Sequence, residues 1–396
     1  MDRTRTTLDV LDASSPGEAL LDGARPESIY AHVPFCVHKC HYCDFYSLVD
    51  HRGRMPAFVD RFEDEVRAIA SRIDPSRLRT AFVGGGTPTM LEPPQLERVL
   101  RAVGSLASDR GLEEFTVEAN PETVDAATAE ALVRSGVDRV SIGCQSFDPR
   151  HLATLERRHD PASVPRAVER LRHAGIGRLS LDLIFGVPGS TLEDWERDLD
   201  QAIALEPDHL SCYGLVFEDG TPLAERRRLG RIEPIDDAVE AAMYDLARRR
   251  LAEAGFDHYE VSNWARPGEE CRHNLVYWTL GDWVAVGPAA AGNLRDTRYR
   301  NRPRLDDWLE STGASRVVDV ERPSPSIACG EWFMLGLRLR AGIPRAAVES
   351  RLASDPRRAA IVDDLLGRGD HEMRGSSLRI PDTRIMTSDG LLGRLV

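Results

Sequence analysis

The chain has no run of apolar residues approaching the roughly twenty that a helix needs to cross a bilayer, and no excess of positive charge. Its 396 residues carry a formal net charge of −13, which excludes a broad electrostatic footprint on nucleic acid. Arginines are frequent but alternate with Asp and Glu, as between Arg150 and Arg158, and such stretches read as solvated helix faces. No low-complexity segment interrupts the chain. Cysteines number seven, an odd count, and Cys144, Cys212, Cys271 and Cys329 are scattered with no signal peptide ahead of them. These features count against a disulfide framework, and a reducing, cytoplasmic setting is expected. With 42% hydrophobic and 29% charged residues, the chain can bury a core, as two domains or as one large barrel with additions.

The remaining three cysteines stand together. Cys36, Cys40 and Cys43 follow the short apolar run Ile29–Val33 with the spacing Cys-x3-Cys-x2-Cys. One compact loop can then place three thiolates around an iron–sulfur cube, and without a fourth cysteine one iron stays open to a ligand or to chemistry. A structural zinc site would ordinarily need four protein ligands. His38 or His41 could complete one, but only a single Cys-x2-Cys pair is present, and the cluster reading is preferred.

From Ser28 onward, β-like runs alternate with longer amphipathic helical patterns. Strands are expected at Ile29–Val33, Thr80–Val83, Phe115–Ala119, Arg139–Cys144, Leu179–Phe185 and His209–Val216, with helices such as Met55–Arg72, Pro94–Leu106, Val124–Ser135 and Pro161–Ala174 between them. Six strands with intervening helices imply parallel βα units, fewer than the eight of a closed barrel, hence a partial (β/α)6 barrel in an α/β fold. By the two-residue period, Thr116, Glu118 and Asn120 share one face of their strand, as do Ser141, Gly143 and Gln145, and Ser180 and Asp182. A carboxylate in an apolar strand is costly without a partner, so three such strands suggest one polar cavity. The run Gly84-Gly-Gly-Thr-Pro-Thr89 directly follows the second strand, where consecutive glycines let backbone approach a ligand.

Together these segments resemble the radical S-adenosylmethionine (radical SAM) superfamily and, within it, the coproporphyrinogen oxidase-like branch. The resemblance implies a [4Fe-4S] cluster whose open iron chelates S-adenosylmethionine and whose electron can cleave that cofactor to a 5′-deoxyadenosyl radical. It implies Cys36, Cys40 and Cys43 as cluster ligands and Tyr42 as the aromatic residue near the adenine. It also implies Gly85, Gly86 and Thr87 as the glycine motif that meets the methionine end. Glu118, Gln145, Arg157 and Asp182 fall at the family's further cofactor contacts, as do Tyr30 and Val216.

Two groups of that branch are distinguishable. The oxygen-independent coproporphyrinogen III oxidases, which decarboxylate a porphyrinogen, carry another cysteine two residues past the third ligand, where this chain has Phe45. They also carry a longer ordered N-terminal segment. The haem-chaperone group instead has a His-Asn-x-x-Tyr-Trp motif, matched here by His273-Asn-Leu-Val-Tyr-Trp278. A neutral imidazole ligates haem iron well and aromatic rings pack on the macrocycle. In a helix His273 and Tyr277 share a face, and Asn274 or a nearby carbonyl could orient the ring. Cys271 is expected to be a buried structural thiol. No Cys-x-x-Cys-His is present for covalent haem attachment.

The resemblance therefore implies a haem chaperone that passes haem to an acceptor protein, with the radical decarboxylase, or a radical SAM enzyme of another substrate, as alternatives. The cluster would gate transfer or hold a homodimer together, and no catalytic residue is assigned. Four segments are expected: a flexible tail over 1–27, the barrel over 28–235, a haem-motif region over 236–320, and a mainly helical, winged-helix-like extension over 321–396. In the last, Ile380–Gly390 has a strand-turn-helix rhythm.

Overall fold

A computed structural model of the protein describes residues 16–396. Six parallel strands stand side by side in chain order: β1 (Ser28–Val33), β2 (Thr80–Gly85), β3 (Glu114–Ala119), β4 (Arg139–Gln145), β5 (Arg178–Phe185) and β6 (His209–Gly214). Their outward residues are almost wholly apolar and buried, among them Ile29, Val83, Val117, Val140 and Leu181. These residues meet the inner stripes of the intervening helices. The helix Pro93–Gly104, for example, buries Leu96, Val99, Leu100 and Val103, the three- and four-residue spacing of one helical face. The helix Leu192–Ala204 begins with a reciprocal cap between Thr191 and Asp194, which satisfies backbone donors that a first turn otherwise leaves free. The result is the partial (β/α)6 barrel expected from the alternation of patterns.

The sheet continues past both barrel edges without closing. On one side β6 pairs antiparallel with β8 (Asn263–Ala265), itself paired with β7 (Asp257–Glu260). On the other, β9 (Trp283–Val286) runs parallel to β1, and β10 (Ala291–Leu294), β11 (Thr297–Asn301) and β12 (Val317–Glu321) follow antiparallel. The helix Arg272–Trp278 lies between β8 and β9 in the chain.

A second helix, Pro325–Gly336, spans the open side. Its Glu331 accepts from Arg298 of β11 at 2.8 Å, while Arg340, just beyond it, donates its backbone N–H to the Tyr259 carbonyl of β7 at 2.9 Å. The chain then forms the helices Arg345–Leu352 and Pro356–Gly367 beside a small sheet of β13 (Ile343–Pro344), β14 (Glu372–Arg374) and β15 (Ser377–Arg379).

Two expectations change. The expected tail over residues 1–27 lies partly outside the described residues, and Pro16–Leu21 is a short helix whose last residue, Leu21, is buried, as is Ala24 beyond it. The segment Ile380–Gly390 holds no strand: the β14–β15 hairpin precedes it and only the helix Ser388–Leu392 enters it. Ile380 is buried as core, which explains its strand-like apolar signal.

Candidate functional site

The inward residues of the strands surround one cavity of about 1310 Å³, reaching from Lys39, Asp44, Phe45 and Tyr46 of the cysteine loop to the helix Arg272–Trp278. Thr116, Glu118, Ser141, Ser180 and Asp182 all line it, as their shared strand faces implied.

At the carboxyl ends of the strands, β1 runs directly into the cysteine loop. The glycine segment after β2 docks onto that loop by backbone bonds, Gly86 N–H to the Val33 carbonyl at 2.8 Å and Thr87 N–H to the Phe35 carbonyl at 2.7 Å. A Cβ on Gly86 would lie 2.7 Å from the Phe35 carbonyl oxygen, and one on Gly85, whose φ is +106°, would strike the His32 ring. Gly86 therefore lets the segment seat against the start of the cysteine loop, and Gly85 makes room for the His32 ring of β1.

The three thiols are half-buried and unpaired. Thr87 donates its hydroxyl to Cys36 Sγ at 3.7 Å and Arg157 its guanidinium to Cys40 Sγ at 3.8 Å. Burial lifts the Cys43 thiol to about 11, and the nearby Cys40 and Cys36 add to the rise, as crowded like charges do. Three sulfur donors held together by one loop, with hydrogen-bond donors aimed at two of them, fit an iron–sulfur cluster that would neutralise this crowding.

Arg157 also donates to Asn120 Oδ1 at 2.8 Å and to the Gly143 carbonyl at 2.7 Å, and Asn120 donates to Thr87 at 3.0 Å. One network thus joins the cysteine loop, β3 and β4. Glu118 accepts the Gly85 N–H at 2.9 Å; burial, reinforced by Asp182, lifts its carboxyl to about 7. Asp182 accepts from Ser141 at 3.0 Å and is raised by burial. Such a wall of carboxyls and hydroxyls can take an amine or a ribose. Tyr30 reaches His32 at 3.0 Å and stacks on Phe82. Tyr42 packs on the small cluster of Leu155, Ile184 and Val187. Gln145 has a φ of +65° at an irregularity between β4 and β5. Val216 lies two residues beyond the end of β6 and is 59% exposed; like Tyr42, Gly86, Thr87, Gln145 and Arg157, it is off the cavity wall.

His273 sits at the other end. Its Nδ1 is 2.5 Å from the hydroxyl of Ser28 and 3.2 Å from that of Thr80, the first residues of β1 and β2. Its Nε2 is 2.7 Å from the Tyr277 hydroxyl, as the four-residue spacing implied. Asn274 does not orient the ring; the strand hydroxyls do. Only 1% of His273 is exposed, and burial pushes the imidazole down to about 3, so it is neutral at physiological pH. Five residue steps of β1, roughly 17 Å, separate this end of the barrel from the cysteine end.

Some participants carried little sequence signal. Glu114, the first residue of β3 and wholly buried, accepts the backbone N–H groups of Arg272 and His273 at 3.0 Å and the Cys271 thiol at 3.4 Å. A carboxylate at a helix N-terminus is favoured there, and Cys271 is indeed a buried structural thiol. His209 of β6 mirrors His273, with Ser180 2.8 Å from one ring nitrogen and Tyr259 2.9 Å from the other. Lys39 is the sole lysine of the chain, within the cysteine loop and on the cavity wall; a count by residue type would have found it.

Residues 30–202 match the model of the radical SAM superfamily. The chain is 38% identical to the haem chaperone HemW of Mycobacterium tuberculosis, over 88% of this chain and 90% of that one. It is 35% identical to HemW of Lactococcus lactis, over 81% and 83% of the two chains. The chain belongs to the HemW family. Its fold is also that of coproporphyrinogen III oxidase HemN of Escherichia coli, a radical SAM enzyme, with a TM-score of 0.81 over 96% of this chain and 92% of that one at 18% identity. Covering 88% of the chain, the HemW relationship extends beyond the superfamily segment to include the helix Arg272–Trp278.

Proposed function

We propose that this protein is a haem chaperone: it binds haem with His273 as iron ligand and hands it to an acceptor protein. It would carry a [4Fe-4S] cluster on Cys36, Cys40 and Cys43, with S-adenosylmethionine beside it. The observation that carries the reading is the HemW relationship, since relatives matched over four fifths or more of both chains bear the name haem chaperone. Phe45, 61% exposed at the cavity mouth, supports it, because the oxidase pattern expects a cysteine there. The division of the chain at about residues 27, 235 and 320, and a cytoplasmic setting, belong to the same proposal. No helix among the described residues is long and apolar enough to cross a membrane.

When bound, the cluster and its cofactor would supply one-electron chemistry at the carboxyl ends of the strands. The protein's own part there is positional. Arg157 and Thr87 hold the sulfur-bearing loop to the barrel wall, Glu118 and Asp182 present acceptors to an amine or a ribose, and Tyr30, Tyr42 and Gln145 shape the surroundings. At the opposite end Ser28 and Thr80 orient His273, whose neutral ring can offer Nε2 to iron once the Tyr277 hydroxyl turns away. Hydroxyl groups at Nδ1 can each donate or accept, so either tautomer is accommodated.

Haem titration of anaerobically reconstituted protein, followed by absorption spectroscopy, tests the reading. Stoichiometric binding is expected in the wild type, with loss in His273→Ala and in the more conservative His273→Gln, and with iron–sulfur absorbance retained in both. Absence of haem binding by the wild type, together with carbon dioxide release from coproporphyrinogen III, would replace the chaperone by the oxidase.

A further inference from the structure

The helices Arg272–Trp278 and Pro325–Gly336 both contribute to the cavity wall. From the second helix and the turn that prolongs it, Glu331, Met334, Leu335 and Arg338 all line the cavity. That spacing, three, four and seven residues apart, is one helical face. The facing wall is aromatic, with Trp278 and Trp283, and the Tyr277 ring lies 4.6 Å from Trp283. Aromatic and aliphatic walls with a cation at one end suit a flat apolar molecule bearing a carboxylate on its edge.

Arg338 is that cation. Its guanidinium carbon lies 5.9 Å from the centre of the Trp278 ring, within reach of the ring's negative face. The Arg338 side chain is 23% exposed, whereas that of its ion-pair partner Asp389, 2.6 Å away, is 81% exposed. A pair with one so exposed member is weak, so a ligand carboxylate entering the cavity can displace Asp389 at little cost. Glu331 does not compete, since Arg298 already holds it at 2.8 Å.

We propose that Arg338 is the seat for a propionate of the haem cargo, with Asp389 as the surface carboxylate that occupies it in the empty protein. This rests on the haem-chaperone reading and extends it to the orientation of the macrocycle, whose carboxylate edge would lie toward the C-terminal extension.

The test compares haem with haem dimethyl ester, which has the same ring and iron but no free carboxylate. In wild type, haem should bind more tightly than the ester. Arg338→Gln should weaken haem about tenfold, near 1.4 kcal/mol, and leave the ester unchanged, while Arg338→Lys restores part of the loss. Asp389→Asn should tighten haem severalfold by removing the competitor, again without effect on the ester. Equal affinities of wild type and Arg338→Gln for haem would overturn the proposal, as would equal weakening of both ligands, which marks a merely structural role. The outcome that defeats the underlying reading is different: wild type binds neither ligand, or His273→Gln loses neither.

Discussion

The hydroxyl of Tyr277 stands 2.7 Å from Nε2 of His273, so the nitrogen an iron would take is already engaged by the same helix, one turn on. Ligation must therefore replace a hydrogen bond. Tyr277→Phe removes the competing group while keeping the ring against Trp283. Haem association, followed by stopped-flow absorbance, should be several-fold faster, at a stability cost of about 1 kcal/mol for the unpaired imidazole nitrogen. An unchanged rate would show that the hydroxyl does not stand in the way.

Glu114 anchors the N-terminus of that helix. Glu114→Ala leaves two backbone N–H groups and the Cys271 thiol without their acceptor, a loss of about 3 kcal/mol. Reconstituted protein should retain its iron–sulfur absorbance while haem affinity falls at least tenfold. Chemical denaturation and haem titration of the same preparation check both parts, and loss of the cluster with haem binding intact would contradict the assignment of the two ends.

The glycine segment predicts the opposite split. Gly86→Ala would bring a methyl group against the Phe35 and Val33 carbonyls, and backbone cannot yield as a flexible side chain would. The cysteine loop should detach from β2, with iron content after reconstitution falling well below that of wild type, and with haem binding at His273 nearly unchanged. Iron analysis and haem titration of the variant read the two effects independently.

Glu118 gives a pH dependence with a definite sign. Burial raises its carboxyl from the ordinary 4.5 to about 7, so the folded protein keeps this proton where the unfolded chain has lost it. Stability from this group is full below about pH 4.5 and is lost as pH rises through 7. The metal-free protein should melt several degrees lower at pH 8 than at pH 5, other groups apart, and Glu118→Gln should flatten that slope. A slope identical in wild type and variant would show that Glu118 titrates normally.

Much of this architecture was legible because one pattern repeats. The runs around Ile29, Val83, Val117, Val140 and Leu181 are short and apolar, and the helices between them carry plain amphipathic spacing, so strand and helix alternate visibly. The polar members of those strands, Glu118, Ser141 and Asp182, stood out because their neighbours are apolar, and all three meet in the cavity. Glu114 did not stand out, because it follows Glu113 in what looks like an ordinary acidic turn; only the arrival of a helix 158 residues later gives it a role. The parallel pairing of β9 with β1 was equally hidden, since partners so distant in sequence leave no local trace. The strand expected to run to Val216 stops at Gly214 for the converse reason: the apolar run outlasts the pairing.

The rows Ser28, Thr80 and Glu114 pair across neighbouring strands, and each touches the helix that carries His273 or the histidine itself. The far ends of those same strands lead to Cys36, carry Gly85 and carry Glu118. Three short levers, clamped side by side, thus have His273 at one tip and the cysteine loop at the other, and on the proposed function they would join cargo to cluster. No hinge interrupts them. A tilt imposed by a large rigid guest at the lower tips would then be carried along paired strands toward the cysteine loop.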